Sequence, residues 1–371
     1  MYRIGKTTWL RIAVFLCASL PCLSNILQAQ TTPSQPIVPP QISRPLTVDR
    51  DPVPSIDPDG TGGAPVGVEV GAGIGQVSKD QTGRYTLEAD AYEVQLHVTV
   101  LDTSGRPARN LRKEAFRVWE DGVPQEITGF HHDDPAVSIG LLIDSSASMF
   151  DKRQAVESAA LDLVRLSNPK DEEFLVDFNS KAYIDEDLTS SIDQLQRGLR
   201  YVNAKGGTAA YDAVVASANY LSKHGKNSKQ VLVLITDGED NASRTSMLEM
   251  VRRVQGLEGP VIYCVGLLFG EDTQPAESRR AKALLEQIAD QTGGAAFFPK
   301  SIKEVDKIAS IVAEDIRIQY TIGYRSTNPP SKGGYRVVHV EAVGDENQKL
   351  NVRTRSGYLA KTPTAPAVTA R

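Results

Sequence analysis

Apolar and polar positions follow two different rhythms along this chain. In "YEVQLHVTVLD", Val94, Leu96 and Val98 are separated by single polar residues, and Leu101 follows after one slip in the alternation. A period of two puts such side chains on one face of a strand, so residues 85–133 are expected to form half-buried strands. "SGRPARN" reads as a turn, and "AFRVWEDGVPQEITGF" as a β-hairpin with Phe116 and Val118 inward and Asp121-Gly122 at its tip. Trp119 is expected to pack on a sheet surface. From Val137 the rhythm changes to near-continuous apolar runs: "VSIGLLI", "EFLVDF", "QVLVLI" and "PVIYCVGLL". Such runs suit strands buried on both faces, as in a parallel sheet.

Helical stripes lie between and after these runs. Val156, Ala159, Ala160, Leu163 and Val164 recur at helical spacing, as do Tyr211, Val214, Val215 and Ala218. Further stripes are Met247, Leu248, Val251 and Val254, then Ala283, Leu284, Ile288 and Ala289, then Val305, Ile308, Ile311 and Val312. Each is expected to face a core. Strands alternating with helices predict an α/β fold, a doubly wound and mostly parallel sheet over residues 136–317. Strand character returns in "RIQYTIGYRS", "GYRVVHVEAV" and "KLNVRTRSGYLA". Residues 85–135 and 318–360 are therefore expected to form a β-sandwich domain in which the α/β domain is inserted, or which flanks it. Two separate small sheets would each have little core.

The ends of the chain differ from both patterns. Arg3, Lys6 and Arg11 precede or flank a short apolar run, Ile12 to Leu20, and Leu27-Gln28-Ala29 offers a cleavage site. Residues 1–29 are read as a signal peptide that sends the protein out of the cytoplasm, to the periplasm or beyond, with an uncleaved anchor as the alternative. Residues 30–84, rich in Pro, Gly, Ser, Thr and Asp, lack periodic apolar positions and are expected to be a disordered spacer. Residues 361–371 read the same way.

Composition narrows the function classes. The net charge is −5 and becomes −8 without residues 1–29, which hold three basic and no acidic side chains. That gives no electrostatic case for nucleic acid as partner. Cys17 and Cys22 lie in the signal, so Cys264 alone remains, without a disulfide partner. It is read as a small buried hydrophobe.

Three loops carry hard oxygen donors where an α/β sheet would gather ligands, at the carboxyl ends of strands. "DSSAS" sets Asp144, Ser146 and Ser148 at intervals of two, which turns them to one side of an extended loop. "KGGTAAYDA" places Thr208 after two glycines and before a helix. "LITDGED" ends a strand at Asp237, before a Gly238 expected to permit a tight turn. Two carboxylates and three hydroxyls suit a hard divalent cation; Mg²⁺ takes octahedral oxygen ligands at about 2.1 Å. Each loop alone has a plainer reading. Asp, Ser and Thr cap helices, and Asp-Gly is a common turn pair.

Taken together, the loops resemble the von Willebrand factor A domain with its metal-ion-dependent adhesion site. That site is D-x-S-x-S, a distant Thr and a distant Asp, matched here by Asp144, Ser146, Ser148, Thr208 and Asp237. "GGTAAYDAV" and "LITDGEDN" fit the same family. Ala147 departs from it, standing where glycine is frequent. The resemblance implies a bound Mg²⁺, or Mn²⁺, with Ca²⁺ less suited, and an open coordination position for an Asp or Glu of a protein partner. In some relatives the last helix shifts on ligation; here that helix is expected at about 302–317. A signal peptide, an "EDG…Q.I..F" segment, "SIGLLIDSSASM" and a terminal "Y.IGY" also resemble secreted bacterial proteins of the VWFA-related Acidobacterial domain family.

The expected function is metal-dependent protein binding, in adhesion or assembly. A structural extracytoplasmic protein with a purely stabilising metal site is the alternative, and a metal-assisted hydrolase a weaker one. Nucleophilic serine needs a base, yet none of His97, His131, His132, His224 and His339 falls in the three loops. No G-x-S-x-G, H-E-x-x-H or P-loop occurs in the chain.

Overall fold

The computed structural model describes residues 44–45, 76–79, 85–88, 93–132, 134–200, 205–257, 259–269, 275–344 and 348–360. The expected signal peptide and C-terminal tail lie outside them. Of the expected spacer, two short pieces are described, and both are strands.

In chain order, β1 (Arg44–Pro45), β2 (Gln76–Lys79), β3 (Tyr85–Glu88), β4 (Glu93–Leu101), β5 (Phe116–Glu120), β6 (Val123–Gln125) and β7 (Ile127–His131) come first. The α/β segment follows as β8 (Val137–Asp144), α1 (Arg153–Leu166), β9 (Glu172–Phe178), β10 (Ala182–Thr189), α2 (Ile192–Leu199) and α3 (Ala210–His224). It continues through β11 (Lys229–Thr236), α4 (Met247–Gly256), β12 (Val261–Gly266), α5 (Pro275–Thr292), β13 (Ala296–Phe297) and α6 (Val305–Arg317). The last strands are β14 (Tyr320–Arg325), β15 (Tyr335–Ala342), β16 (Asn351–Arg353) and β17 (Gly357–Leu359).

The central sheet has seven strands in the order β1-β10-β9-β8-β11-β12-β13. Strands β9, β8, β11, β12 and β13 run parallel, while β10 and β1 close one edge antiparallel. Both faces are covered. Ile139, Leu141, Ile143, Val231, Val233 and Ile235 pack with α1 and α6 in one core, and Leu142, Leu232 and Leu234 pack with α3 and α4 in another. This explains the continuous apolar runs: every position of β8 is buried. Full burial of each such Leu, Ile or Val stabilises the fold by roughly 1.5–3 kcal/mol.

Chain direction changes around β8. The crossover through α1 leads to β9 on one side, and the return through α3 leads to β11 on the other. Helices α1 and α3 therefore leave the sheet on opposite faces, and a crevice opens at the carboxyl ends of β8 and β11.

Two further four-stranded sheets, β16-β4-β14-β7 and β17-β15-β5-β6, each mix strands from before β8 with strands from after α6. Between them lies a core that includes Val94, Leu96, Val98, Phe116, Val118, Ile322 and Val340. At the β5–β6 turn both Asp121 (φ 50°) and Gly122 (φ 77°) adopt the left-handed backbone that a two-residue hairpin of matching twist requires. Trp119 faces His339 across the β5–β15 pair, ring centroids 5.5 Å apart. Arg336 and Glu120, each 1% exposed, pair at 3.2 Å inside this core. The Tyr324 and Tyr358 hydroxyls both donate to Glu120 at 2.8 Å.

Besides the two strands within the expected spacer, further elements differ from the sequence reading. Strand β10 and helix α2 were not expected; β10 carries Asp185, Glu186 and Asp187 and pairs antiparallel, so neither apolar continuity nor alternation marks it. Strand β3 pairs with β2 in a separate two-stranded sheet rather than joining the sandwich.

Candidate metal centre

The parallel register of β8 and β11 sets Ile143 beside Ile235, so the next residues, Asp144 and Thr236, are neighbours at the mouth of the crevice. The Thr236 hydroxyl donates to Asp144 Oδ2 at 2.6 Å, and the backbone N–H of Ser146 donates to Oδ1 at 2.8 Å. Side chains then alternate along the loop. Ser145 turns back into the sheet, donating through Oγ to Asp177 at 2.8 Å. Ser146 and Ser148 share the other side, with hydroxyl oxygens 3.2 Å apart. Ser148 Oγ donates to Asp237 Oδ1 at 2.8 Å, and Lys152 Nζ donates to Asp237 Oδ2 at 2.7 Å.

The loop bearing Thr208 is stitched to both others. The N–H of Lys205 donates to the Ser145 carbonyl at 2.8 Å, and the N–H of Ala147 to the Gly206 carbonyl at 3.3 Å. On the other flank Thr208 N–H donates to Asn241 Oδ1 at 2.9 Å, while the N–H groups of Asn241 and Ala242 each reach the Thr208 carbonyl at 3.0 Å. The two glycines have separate reasons. Gly206 has φ 80°, and a Cβ on Gly207 would lie 2.6 Å from Asn241 Oδ1. Gly238, by contrast, has no positive φ and open space around it, so the Asp237 turn does not depend on glycine's freedom.

Burial dominates the electrostatics. Asp144 is 1% exposed, and its carboxyl is pushed up to about 6, chiefly by desolvation and further by the negative charge of Asp237. Hydrogen bonds from Thr236 and Ser146 oppose that rise. Lys152 brings the cation that directly pairs with Asp237; their side chains are 15% and 1% exposed.

The short 3-10 turn Ala147–Lys152 starts after Ser146, α1 after Lys152 and α3 after Ala209, and none of the three has a side-chain cap. Ser191 and Ser246 do cap α2 and α4, accepting from Gln194 and Glu249 N–H. The Ser146 and Ser148 hydroxyls are thus engaged with each other, and Ser148 with Asp237 as well; the Thr208 hydroxyl makes no hydrogen bond among the described residues. Nearby acidic residues have structural partners. Asp240 accepts from the Tyr211 N–H at 2.9 Å, Asp212 from the Arg244 and Thr245 N–H groups, and Glu239 from Arg280 at 2.8 Å.

The donor set is all oxygen. Among the described residues no group of three or more His, Cys, Asp and Glu gathers, so the nitrogen and sulfur ligands that zinc favours are not assembled. Two carboxylates with three hydroxyls fit a hard cation such as Mg²⁺. Cys264 is fully buried in β12 with its thiol pushed up by desolvation, far from reactive chemistry. No sequence pattern marks Lys152, and Thr236 lies inside the quoted "LITDGED" without a role. Asn241 stood inside a quoted motif without a role.

An open α/β domain with its polar site at the switch point of the sheet is a familiar class of binding fold. Residues 139–239 match the family model of the von Willebrand factor type A domain, and the α/β segment is a domain of that type. Structural similarity extends to the proximal thread matrix protein 1 of the mussel byssus, at 17% identity and a TM-score of 0.40 over 50% of this chain and 49% of that one. This chain thus spans about half the length of the mussel protein. A von Willebrand factor type A protein from Catenulispora acidiphila is similar at 13% identity and a TM-score of 0.42, covering 75% of this chain and 76% of that one. The vWF domain of the type V pili tip protein Mfa5 from Porphyromonas gingivalis is similar at 12% identity and a TM-score of 0.39, over 50% and 96%. No curated protein matches the sequence significantly.

Proposed function

We propose that this protein is an extracytoplasmic protein-binding module whose von Willebrand factor type A domain holds Mg²⁺, or Mn²⁺, through Asp144, Ser146, Ser148, Thr208 and Asp237. Ca²⁺ is a poorer fit. The bound cation would supply a coordination position for an Asp or Glu side chain of a protein partner. Asp144 and Asp237 contribute charge; the hydroxyls of Ser146, Ser148 and Thr208 contribute neutral oxygens. A set that is only doubly negative leaves the cation attractive to one more carboxylate.

One observation carries the reading. The hydroxyls of the first and second loops cap no helix, and Ser146 Oγ lies 3.2 Å from Ser148 Oγ, which in turn donates to Asp237 at the switch point of the sheet. Export rests on the N-terminal sequence, and among the described residues no helix is long and apolar enough to cross a membrane. The roles of pilus tips and byssal threads belong to the similar proteins; adhesion or assembly is a proposal for this one.

The test is calorimetric titration of Mg²⁺ and Mn²⁺ into the full chain and into the Asp144→Ala/Asp237→Ala variant. Saturable binding to the wild type, lost in a variant that keeps its circular dichroism, is the expected outcome. Equal binding by both would refute the site.

A further inference from the structure

Lys152 is absent from the ligand set just proposed, yet it forms an ion pair with one of its members. Its ammonium is 2.7 Å from Asp237 Oδ2, on the carboxylate whose other oxygen accepts from Ser148. The carboxylate is 1% exposed and the lysine side chain 15%. A second attraction holds the ammonium there: it lies 5.8 Å from the centroid of the Phe269 ring, in the loop after β12. The position follows from local structure. Residues 147–152 form a 3-10 turn that brings residue 152 back over the loop, and α1 begins only at Arg153.

A carboxylate this buried is costly to leave without a counter-charge. Asp144 is buried too, and the charge of Asp237 already bears on it. A metal-free centre therefore needs a cation, and the chain brings its own. We infer that Lys152 is a tethered competitor of the divalent ion: it neutralises Asp237 in the metal-free protein and gives way when metal binds. The centre then stays assembled without metal and takes metal with lower affinity than its oxygen donors alone would give. This inference rests on the metal reading above, and its test separates the two.

Mg²⁺ is titrated calorimetrically into the full chain as wild type, Lys152→Met and Lys152→Arg. Removing the charge is expected to tighten Mg²⁺ binding by about tenfold or more, which corresponds to about 1.4 kcal/mol. Lys152→Arg, which keeps the charge, stays within a few-fold of the wild type. The metal-free Lys152→Met protein melts lower than the wild type and gains more in melting temperature from Mg²⁺, by mass action. In the wild type itself, labelling of Lys152 by an amine-reactive reagent, read by mass spectrometry, rises when Mg²⁺ is added. That measurement stands even if Lys152→Met does not fold.

Measurable Mg²⁺ binding by the wild type with unchanged or weaker binding by Lys152→Met overturns the role of Lys152 and leaves the metal centre intact. Labelling of Lys152 that is indifferent to saturating Mg²⁺ does the same. Binding by Lys152→Met alone supports the inference in its strongest form, with lysine as the resident cation. No binding by either folded protein sinks the metal reading and this inference together.

Discussion

Thr236 Oγ1 donates to Asp144 Oδ2 at 2.6 Å across the carboxyl ends of two parallel strands. Both residues are 1% exposed. The bond joins the two strands at the point where the chain reverses its winding direction, and it stabilises the ionised form of a carboxyl that burial pushes upward. Thr236→Val keeps the shape and removes the donor. A buried charged acceptor that loses one partner costs about 1–3 kcal/mol, so the urea midpoint in chelator should fall by that equivalent. An unchanged midpoint would mean that water or another group replaces the hydroxyl.

Glu173 offers a pH test away from the centre. It is 3% exposed in β9, and its carboxyl is pushed up to about 7 from the ordinary 4.5, chiefly by burial, with Asp171 adding to the shift. The folded pKa is the higher one, so the folded state binds the proton more tightly. The associated stability is fully present below about pH 4.5 and is lost progressively as pH rises to about 7. Glu173→Gln cannot ionise and escapes that loss. Relative to wild type, the variant should gain on the order of 3 kcal/mol between pH 4.5 and 8.5 in urea unfolding. A difference that stays flat across this range would show that Glu173 titrates normally.

How far the sequence led can be judged from particular residues. Strands β8, β9, β11 and β12 were legible because burial on both faces leaves a near-continuous apolar run. That Ser146 and Ser148 share one side of their loop was legible because a period of two, visible in five letters, is also a geometry. Lys152 was not. Its pairing with Asp237 spans 85 positions and depends on a 3-10 turn that no local pattern announces. Thr236 needed the β8–β11 register. Strand β10 hid behind Asp185, Glu186 and Asp187, which break both the continuous and the alternating apolar pattern.

Two ion pairs of different burial should behave differently. Asp171, with its side chain 1% exposed, pairs with Arg317 and also accepts from the N–H groups of Val137 and Asn168 at 2.8 and 2.9 Å. Its replacement leaves Arg317 and two N–H groups short of an acceptor, and Asp171→Ala should cost about 3–5 kcal/mol in chemical unfolding. The exposed pair of Arg165 and Asp162 on α1, at 3.3 Å, is expected to contribute about 0.5 kcal/mol or less. Arg165→Ala measured alongside is the control. Equal losses would contradict the burial argument.

The last helix bears on whether the centre can signal to the sandwich. Its C-terminus is tied on several sides. Lys229, 1% exposed, donates to the Ile316 carbonyl; Arg317 holds Asp171 and, at 3.0 Å, Asp134. Asp315 accepts from Tyr263 at 2.6 Å and from Arg353 of β16 at 2.7 Å. The helix then passes within three residues into β14, the strand paired with both β4 and β7. Sliding α6 along the sheet would break buried charge-assisted bonds together, and the proposed ligands Asp144, Ser146, Ser148, Thr208 and Asp237 take part in none of them. Metal should therefore slow hydrogen exchange in 144–152 and 205–209 and leave the amides of 305–317 unchanged. Mg²⁺-dependent exchange across 305–317, measured by mass spectrometry, would show that the ties release and that the helix moves with ligation.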